Sequence, residues 1–223
     1  MDNDIMSAIL KEADKGVATL GIRKNFLYRN DPKLVMIGMS RYKFVGKMLE
    51  GREDVLEVGC GDGFNAPVVA QHVGKLSLSD IDENNLEDIR TRDPGNRMGL
   101  REIFNHNFVT AALPKTYDAI YLLDVFEHID KNDSHSFLTH LNASLTEHGT
   151  VIIGIPSLES QKYASKYSRA GHVNCMTKND FKTFLETYYH NVFMFSMNDE
   201  VVHTGYGPMS QYLIAVACSK RAA

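Results

Sequence analysis

The stretch Asp54-Val55-Leu56-Glu57-Val58-Gly59-Cys60-Gly61-Asp62-Gly63-Phe64-Asn65 decides how the chain folds. A short apolar run breaks into glycines at three alternate positions and then into a helical pattern. That order describes a β-strand, a tight turn and a helix N-terminus. The glycines free φ and let a ligand lie against bare backbone, and the helix behind them presents N–H groups that lack intrahelical partners. Glu57 is the one acidic residue in the apolar run and marks a site rather than a core. A dinucleotide-binding turn requires G-x-G-x-x-G, and its third glycine would fall on Phe64. A triphosphate-gripping loop requires Gly-Lys-Ser/Thr, which does not follow. The turn therefore serves another kind of ligand, or is a glycine-rich connection that serves none.

The 223 residues suffice for one domain with a large core and no staples. The net charge of −4 offers no general attraction for nucleic acid. Cys60, Cys175 and Cys218 are scattered and odd in number, which suits a reducing compartment, with no disulfide framework and no metal-ligand spacing. No segment is apolar over the length of a bilayer span. The sequence Met1-Asp-Asn-Asp-Ile-Met6 lacks the basic and apolar regions of a signal peptide. A cytoplasmic protein without a membrane partner is expected, its oligomeric state open.

Upstream of the glycine turn, a helical segment is expected over residues 1–50: a short helix from Asp4 to Ala13, a loop, and a helix from Lys33 to Leu49 behind Asp31-Pro32. Downstream, helix Ala66–Val73, strand Lys75–Ile81, helix Glu83–Arg92, strand Leu100–Phe104, strand Tyr117–Val125, helix Ser134–Leu145 and strand Thr150–Ile155 alternate. The Tyr117 run is apolar on both faces, as in a buried parallel strand. The alternation predicts an open α/β sheet with helices on both faces. Residues 157–172 lack periodicity and read as a mobile excursion. Thr177-x-x-Asp180 opens another helix, and Val192–Met197 and Tyr212–Cys218 are strands too closely joined for a helical crossover, so they pair antiparallel.

From about Lys33 to Cys218 the chain resembles the class I S-adenosylmethionine-dependent methyltransferases. Glu57-x-Gly59-x-Gly61-x-Gly63 is similar to their first motif, Tyr117-Asp-Ala-Ile120 through Asp124 to Glu127-His128-Ile129 to their fourth strand, and Gly149-Thr-Val-Ile-Ile-Gly-Ile-Pro156 to their fifth. Gly171-His-Val and Thr177-x-x-Asp-Phe resemble relatives of the ubiquinone-biosynthesis O-methyltransferases. The resemblance implies a Rossmann-like seven-stranded, mostly parallel sheet with an antiparallel C-terminal pair, and S-adenosylmethionine as cofactor with S-adenosylhomocysteine as product.

It also implies roles. Gly59, Cys60 and Gly61 would border the methionine and ribose, and Glu57 would face the cofactor's ammonium group. Asp80 would accept from both ribose hydroxyls, with Asp82 as its rival, and Ile81 would pack on adenine. Asn107 and Phe108 stand where the family has an Asp and a hydrophobic residue that read and stack the adenine; the amide has lost the charge. Arg41 either pairs with the cofactor carboxylate or is a solvated helix arginine. Methyl transfer from a sulfonium needs alignment of three atoms and a base only for an un-ionised acceptor. His128, His172 and His203 compete for that task, while Asp124 lines the acceptor pocket next to the cofactor. Lys162, Tyr163, Lys166, Tyr167 and Arg169 read as a solvated segment, or as a lid over an anionic small-molecule acceptor. Methylation at oxygen of a small molecule is expected; an RNA or protein N-methyltransferase and a non-catalytic cofactor-binding partner protein stay open as alternatives.

Overall fold

The computed structural model describes residues 3–14 and 16–221; Met1, Asp2, Lys15, Ala222 and Ala223 lie outside them, so the first residues of the stretch read for a signal peptide do too. The elements are α1 (Asn3–Ala13), α2 (Ile22–Asn30), α3 (Lys33–Met48), β1 (Asp54–Val58), α4 (Ala66–Ala70), β2 (Lys75–Asp80), α5 (Glu83–Arg92), β3 (Leu100–Asn105), β4 (Tyr117–Leu123), α6 (Ser134–Ala143), β5 (Leu145–Pro156), α7 (Lys166–Gly171), α8 (Lys178–Glu186), β6 (Tyr189–Asn198), β7 (Val201–His203) and β8 (Tyr212–Lys220).

The strands form one sheet in the order β3-β2-β1-β4-β5-β8-β6-β7. The first five strands of that order run parallel, and β8 enters antiparallel between β5 and β6. The expected sheet type holds, but among the described residues the sheet has eight strands rather than seven. The extra one is β7, three residues that return antiparallel along β6 and are too short to leave a pattern in the sequence.

Because side chains alternate along a strand, the sheet has two apolar faces. Leu56, Ile120, Leu122, Val151 and Ile153 pack with Phe137, Leu138 and Leu141 of α6 and with Phe181 and Leu185 of α8. Val55, Ala119, Tyr121 and Ile152 pack with Val45 of α3, Val69 of α4, and Leu86 and Ile89 of α5. Side chains start the helices: the Asp82 carboxylate accepts the Asn84 N–H at the head of α5, and the Thr177 hydroxyl accepts the Asp180 N–H at the head of α8.

Several expectations change. The loop expected before Asp31 contains α2, which buries no residue and therefore shows no amphipathic period. α4 stops at Ala70 rather than Val73, and β5 begins at Leu145, with Gly149 inside it. Residues 157–172 are ordered into a 3₁₀ turn, Glu159–Tyr163, and α7.

Two glycines are required by what surrounds them. Gly59 has φ +71°, and a Cβ there would stand 2.3 Å from Val125 Cγ2. A Cβ on Gly154 would stand 2.6 Å from both Leu123 Cδ2 and Tyr212 Oη; its absence lets Tyr212 reach the end of β4. In chemical denaturation, Gly59→Ala should lower the unfolding free energy by about 2 kcal/mol. Gly95→Ala, where a Cβ meets nothing within 4 Å, should change it by less than about 0.5 kcal/mol.

Candidate functional site

The strand order reverses between β1 and β4, and in an open α/β sheet the crevice lies beyond the carboxyl ends of the strands at that point. A cavity of about 490 Å³ occupies the place, lined by Gly59, Cys60, Gly61 and Asp62 of the turn, Arg41 and Tyr42 of α3, Lys24 of α2 and Asp124 after β4. Asp80, at the end of β2, is 8% exposed. It accepts the Gly61 N–H at 2.8 Å and the Asp82 N–H at 2.9 Å, one on each oxygen, so each keeps acceptor capacity. Asp82 caps α5, its Oδ1 accepting the Asn84 N–H at 3.0 Å. Ile81, between them, is 69% exposed.

Phe108 requires a correction. It is 2% exposed and its ring packs against His106 and Phe137, so it belongs to the core and has no free face for an adenine. Asn107 uses its side-chain oxygen to accept the Val109 N–H at 2.9 Å, an Asx turn. Cys60 lines the cavity, but burial pushes its thiol far up, so it stays neutral.

Glu57 is 1% exposed and lies opposite Tyr121 in the β1–β4 register. The hydroxyls of Tyr42 and Tyr121 donate to its two oxygens at 2.5 and 2.7 Å. Burial outweighs these hydrogen bonds and raises its pKa to about 7.

Arg41 does not stand free for a ligand carboxylate. Its Nη1 donates to Asp124 Oδ2 at 2.6 Å and its guanidinium lies 3.6 Å over the Tyr212 ring; its buried Nε has no partner among the described residues. Asp124 has φ +57°, and its N–H donates to both Gly154 O and Tyr212 Oη at 3.1 Å. A non-glycine residue in this region at a strand end is a mark of a functional site. Asp124 lines the cavity.

Sequence reading missed α2, which lies over the glycine turn. The Lys24 N–H donates to the Asp62 carboxylate at 2.7 Å, and Arg23 Nε donates to Asn85 at 3.0 Å. Burial lowers the pKa of Lys24 against the pull of Asp62, Asp124 and Glu57. The polar residues of this segment carry no motif; only their contacts reveal the role.

Of the three histidines, His203 is engaged on both ring nitrogens, with Asn198 at 2.8 Å and the Gly205 N–H at 2.9 Å, and holds a hairpin. His128 and His172 come together, ring centroids 5.2 Å apart. Glu127, quoted in the fourth-strand motif without a role, joins them: one donor atom from each of the three lies within 4.8 Å of the others. No such ligand set was legible, because His172 is distant in sequence and is brought back by the N–H groups of Val173 and Asn174, which donate to Glu127 O. In the excursion, Tyr163 and Tyr167 are 81% and 90% exposed, and Lys162 lies over the Tyr163 ring.

The family described as a methyltransferase domain matches residues 29–188, more than two thirds of the chain. A probable S-adenosylmethionine-dependent methyltransferase of Mycolicibacterium smegmatis is 26% identical over 157 residues, 70% of this chain and 55% of that protein. An uncharacterized methyltransferase of Alkaliphilus oremlandii is 26% identical over 108 residues, 48% of each chain. The chain thus spans about half the length of these curated relatives. Among solved structures, the methyltransferase domain of bacterial CtHen1-C superposes with a TM-score of 0.68 at 20% identity, covering 82% of this chain and 98% of that one. The N-methyltransferase NodS from Bradyrhizobium japonicum in complex with S-adenosyl-L-homocysteine superposes at 0.64 with 13% identity, covering 88% and 92%. These likenesses establish the fold. The finer kinship with ubiquinone O-methyltransferases finds no support in them. Among the described residues no helix is long and apolar enough to cross a membrane.

Glu57 gives the site a pH signature. Its folded-state pKa lies above the ordinary 4.5, so its contribution to stability is fully present below about pH 4.5 and is lost as pH rises through about 7. The displacement corresponds to about 3 kcal/mol. Urea denaturation from pH 4.5 to 8 should show Glu57→Gln losing less stability than the parent chain, by roughly that amount.

Proposed function

Because the chain belongs to the methyltransferase-domain family, we propose that it transfers a methyl group from S-adenosylmethionine to an oxygen atom of a small-molecule acceptor. The observation that carries this reading is Asp80, which braces Gly61 of the turn and still has a lone pair on each oxygen for the ribose hydroxyls. Gly59, Cys60 and Gly61 border the methionine and ribose, and Ile81 packs on the adenine. Glu57 faces the ammonium group, whose charge lowers the Glu57 pKa, so that binding near pH 7 releases a proton. Lys24, which lines the cavity, faces the carboxylate.

The acceptor enters past Asp124, toward His128 and His172. Its oxygen lone pair forms the bond to the methyl carbon as the carbon–sulfur bond breaks and S-adenosylhomocysteine leaves as a neutral thioether. The hydroxyl proton goes to a lone pair on the histidine pair or to water. Oxygen is favoured because a base-lined acceptor side serves a hydroxyl, which must lose its proton. The exposed basic and aromatic residues of 157–172 form a lid that clamps an anionic acceptor.

Isothermal calorimetry should show S-adenosylhomocysteine binding, with an apparent enthalpy that varies with the buffer's ionisation enthalpy at pH 7. Asp80→Asn should weaken it about 10- to 100-fold with little change in melting temperature. Absence of binding by either form of the cofactor would overturn the reading. Labelled cofactor incubated with fractionated cell extract should place the label in small molecules as an ether or ester methyl; label in RNA or protein would replace the acceptor assignment.

A further inference from the structure

We propose that Glu127, His128 and His172 form a binding site for a divalent transition-metal ion. The Glu127 carboxylate is 0% exposed, and among the described residues no donor reaches either of its oxygens. An unpaired buried carboxylate costs several kcal/mol. Arg41, the nearest cation named above, is already held by Asp124. The carboxylate is therefore built to meet a charge that the described side chains do not supply.

The two histidines supply the matching half. His128 Nδ1 lies 2.8 Å from Gly171 O; a carbonyl only accepts, so Nδ1 carries the proton and Nε2 is left with a lone pair. His172 Nδ1 lies 2.8 Å from Gln161 Oε1. The Gln161 amide nitrogen donates to Ser157 O and Ser160 Oγ, which orients its oxygen toward His172, and again Nε2 is free. An Nδ1–H fixed on an oxygen acceptor is how metal-binding histidines are oriented. Donor atoms on an ion with bonds of about 2.0–2.2 Å stand roughly 3–3.5 Å apart. One ligand atom from each residue lies within 4.8 Å of the others, so binding an ion draws the three side chains closer together.

Two imidazoles and one carboxylate suit zinc, cobalt, manganese or iron(II) better than calcium or magnesium. Three protein ligands leave coordination positions open on the ion. In the methyl-transfer reading, on which this last step alone rests, the acceptor hydroxyl takes an open position. The ion then lowers its pKa, its proton leaves to water, and the histidines act as ligands instead of bases. His172 also ties residues 159–172 to the end of β4, so ion binding would hold that segment down.

The test uses the full chain without an affinity tag, stripped with a chelator and titrated with Co²⁺. One equivalent per chain should bind and give visible d–d absorption, displaced by Zn²⁺. His172→Ala, a substitution at a half-buried loop position, should weaken Co²⁺ at least about 100-fold, and Gln161→Ala about 10- to 100-fold. Calorimetry with S-adenosylhomocysteine should stay within about twofold in both variants, which separates failure here from failure of the cofactor reading. A featureless Co²⁺ titration, or unchanged Co²⁺ affinity in His172→Ala, would overturn the proposal.

Discussion

The guanidinium of Arg41, bound to Asp124 and stacked over Tyr212, ties together three parts of the chain at the end of the central strands. α3 comes from the N-terminal third, Asp124 ends a central parallel strand, and Tyr212 begins the strand that enters the sheet antiparallel. The contact depends on that antiparallel entry: β8 pairs Tyr212 with Pro156 and Ile214 with Gly154, and the missing side chain at Gly154 clears the path of the tyrosine. With its hydroxyl accepting from the Asp124 N–H, Tyr212 helps to hold the left-handed bend of Asp124 as well as the cation above it.

Gly59, Cys60 and Gly61 line the cavity together with Asp124, and Asp80 and Glu57 stand behind them as buried acceptors. Further along the chain, Glu127, His128 and His172 bring one ligand atom each within 4.8 Å of the others. α2 lies over the glycine turn, buries no residue and is attached by polar contacts, the kind of attachment that opens at small free-energy cost.

Legibility followed the range of the interactions. Val55-Leu56-Glu57-Val58 and the glycines after it were readable because strand, turn and helix start are set by neighbouring residues. Asp80 stood out because it lies at a fixed offset from them, while its bond to the Gly61 N–H and the capping bond of Asp82 to Asn84 became visible only in the folded chain. Phe108 was misread because its apolar character fits a ligand stack and a core equally, and only the packing of Phe137 and His106 distinguishes the two. β7 was missed because three residues carry no period, and α2 because a helix that buries nothing has no apolar stripe.

The sequence by itself determined the parallel sheet, its antiparallel end and the turn on which a cofactor would lie, since apolar periodicity and glycine placement are local and the two faces of the sheet must both be buried. Only the tertiary structure decided which polar groups share a site. Glu57 with Tyr42 and Tyr121, Arg41 with Asp124 and Tyr212, and Glu127 with His128 and His172 are each assembled from separate elements. Their chemistry comes from burial and from distances of a few ångströms across the sheet, which no spacing along the chain records.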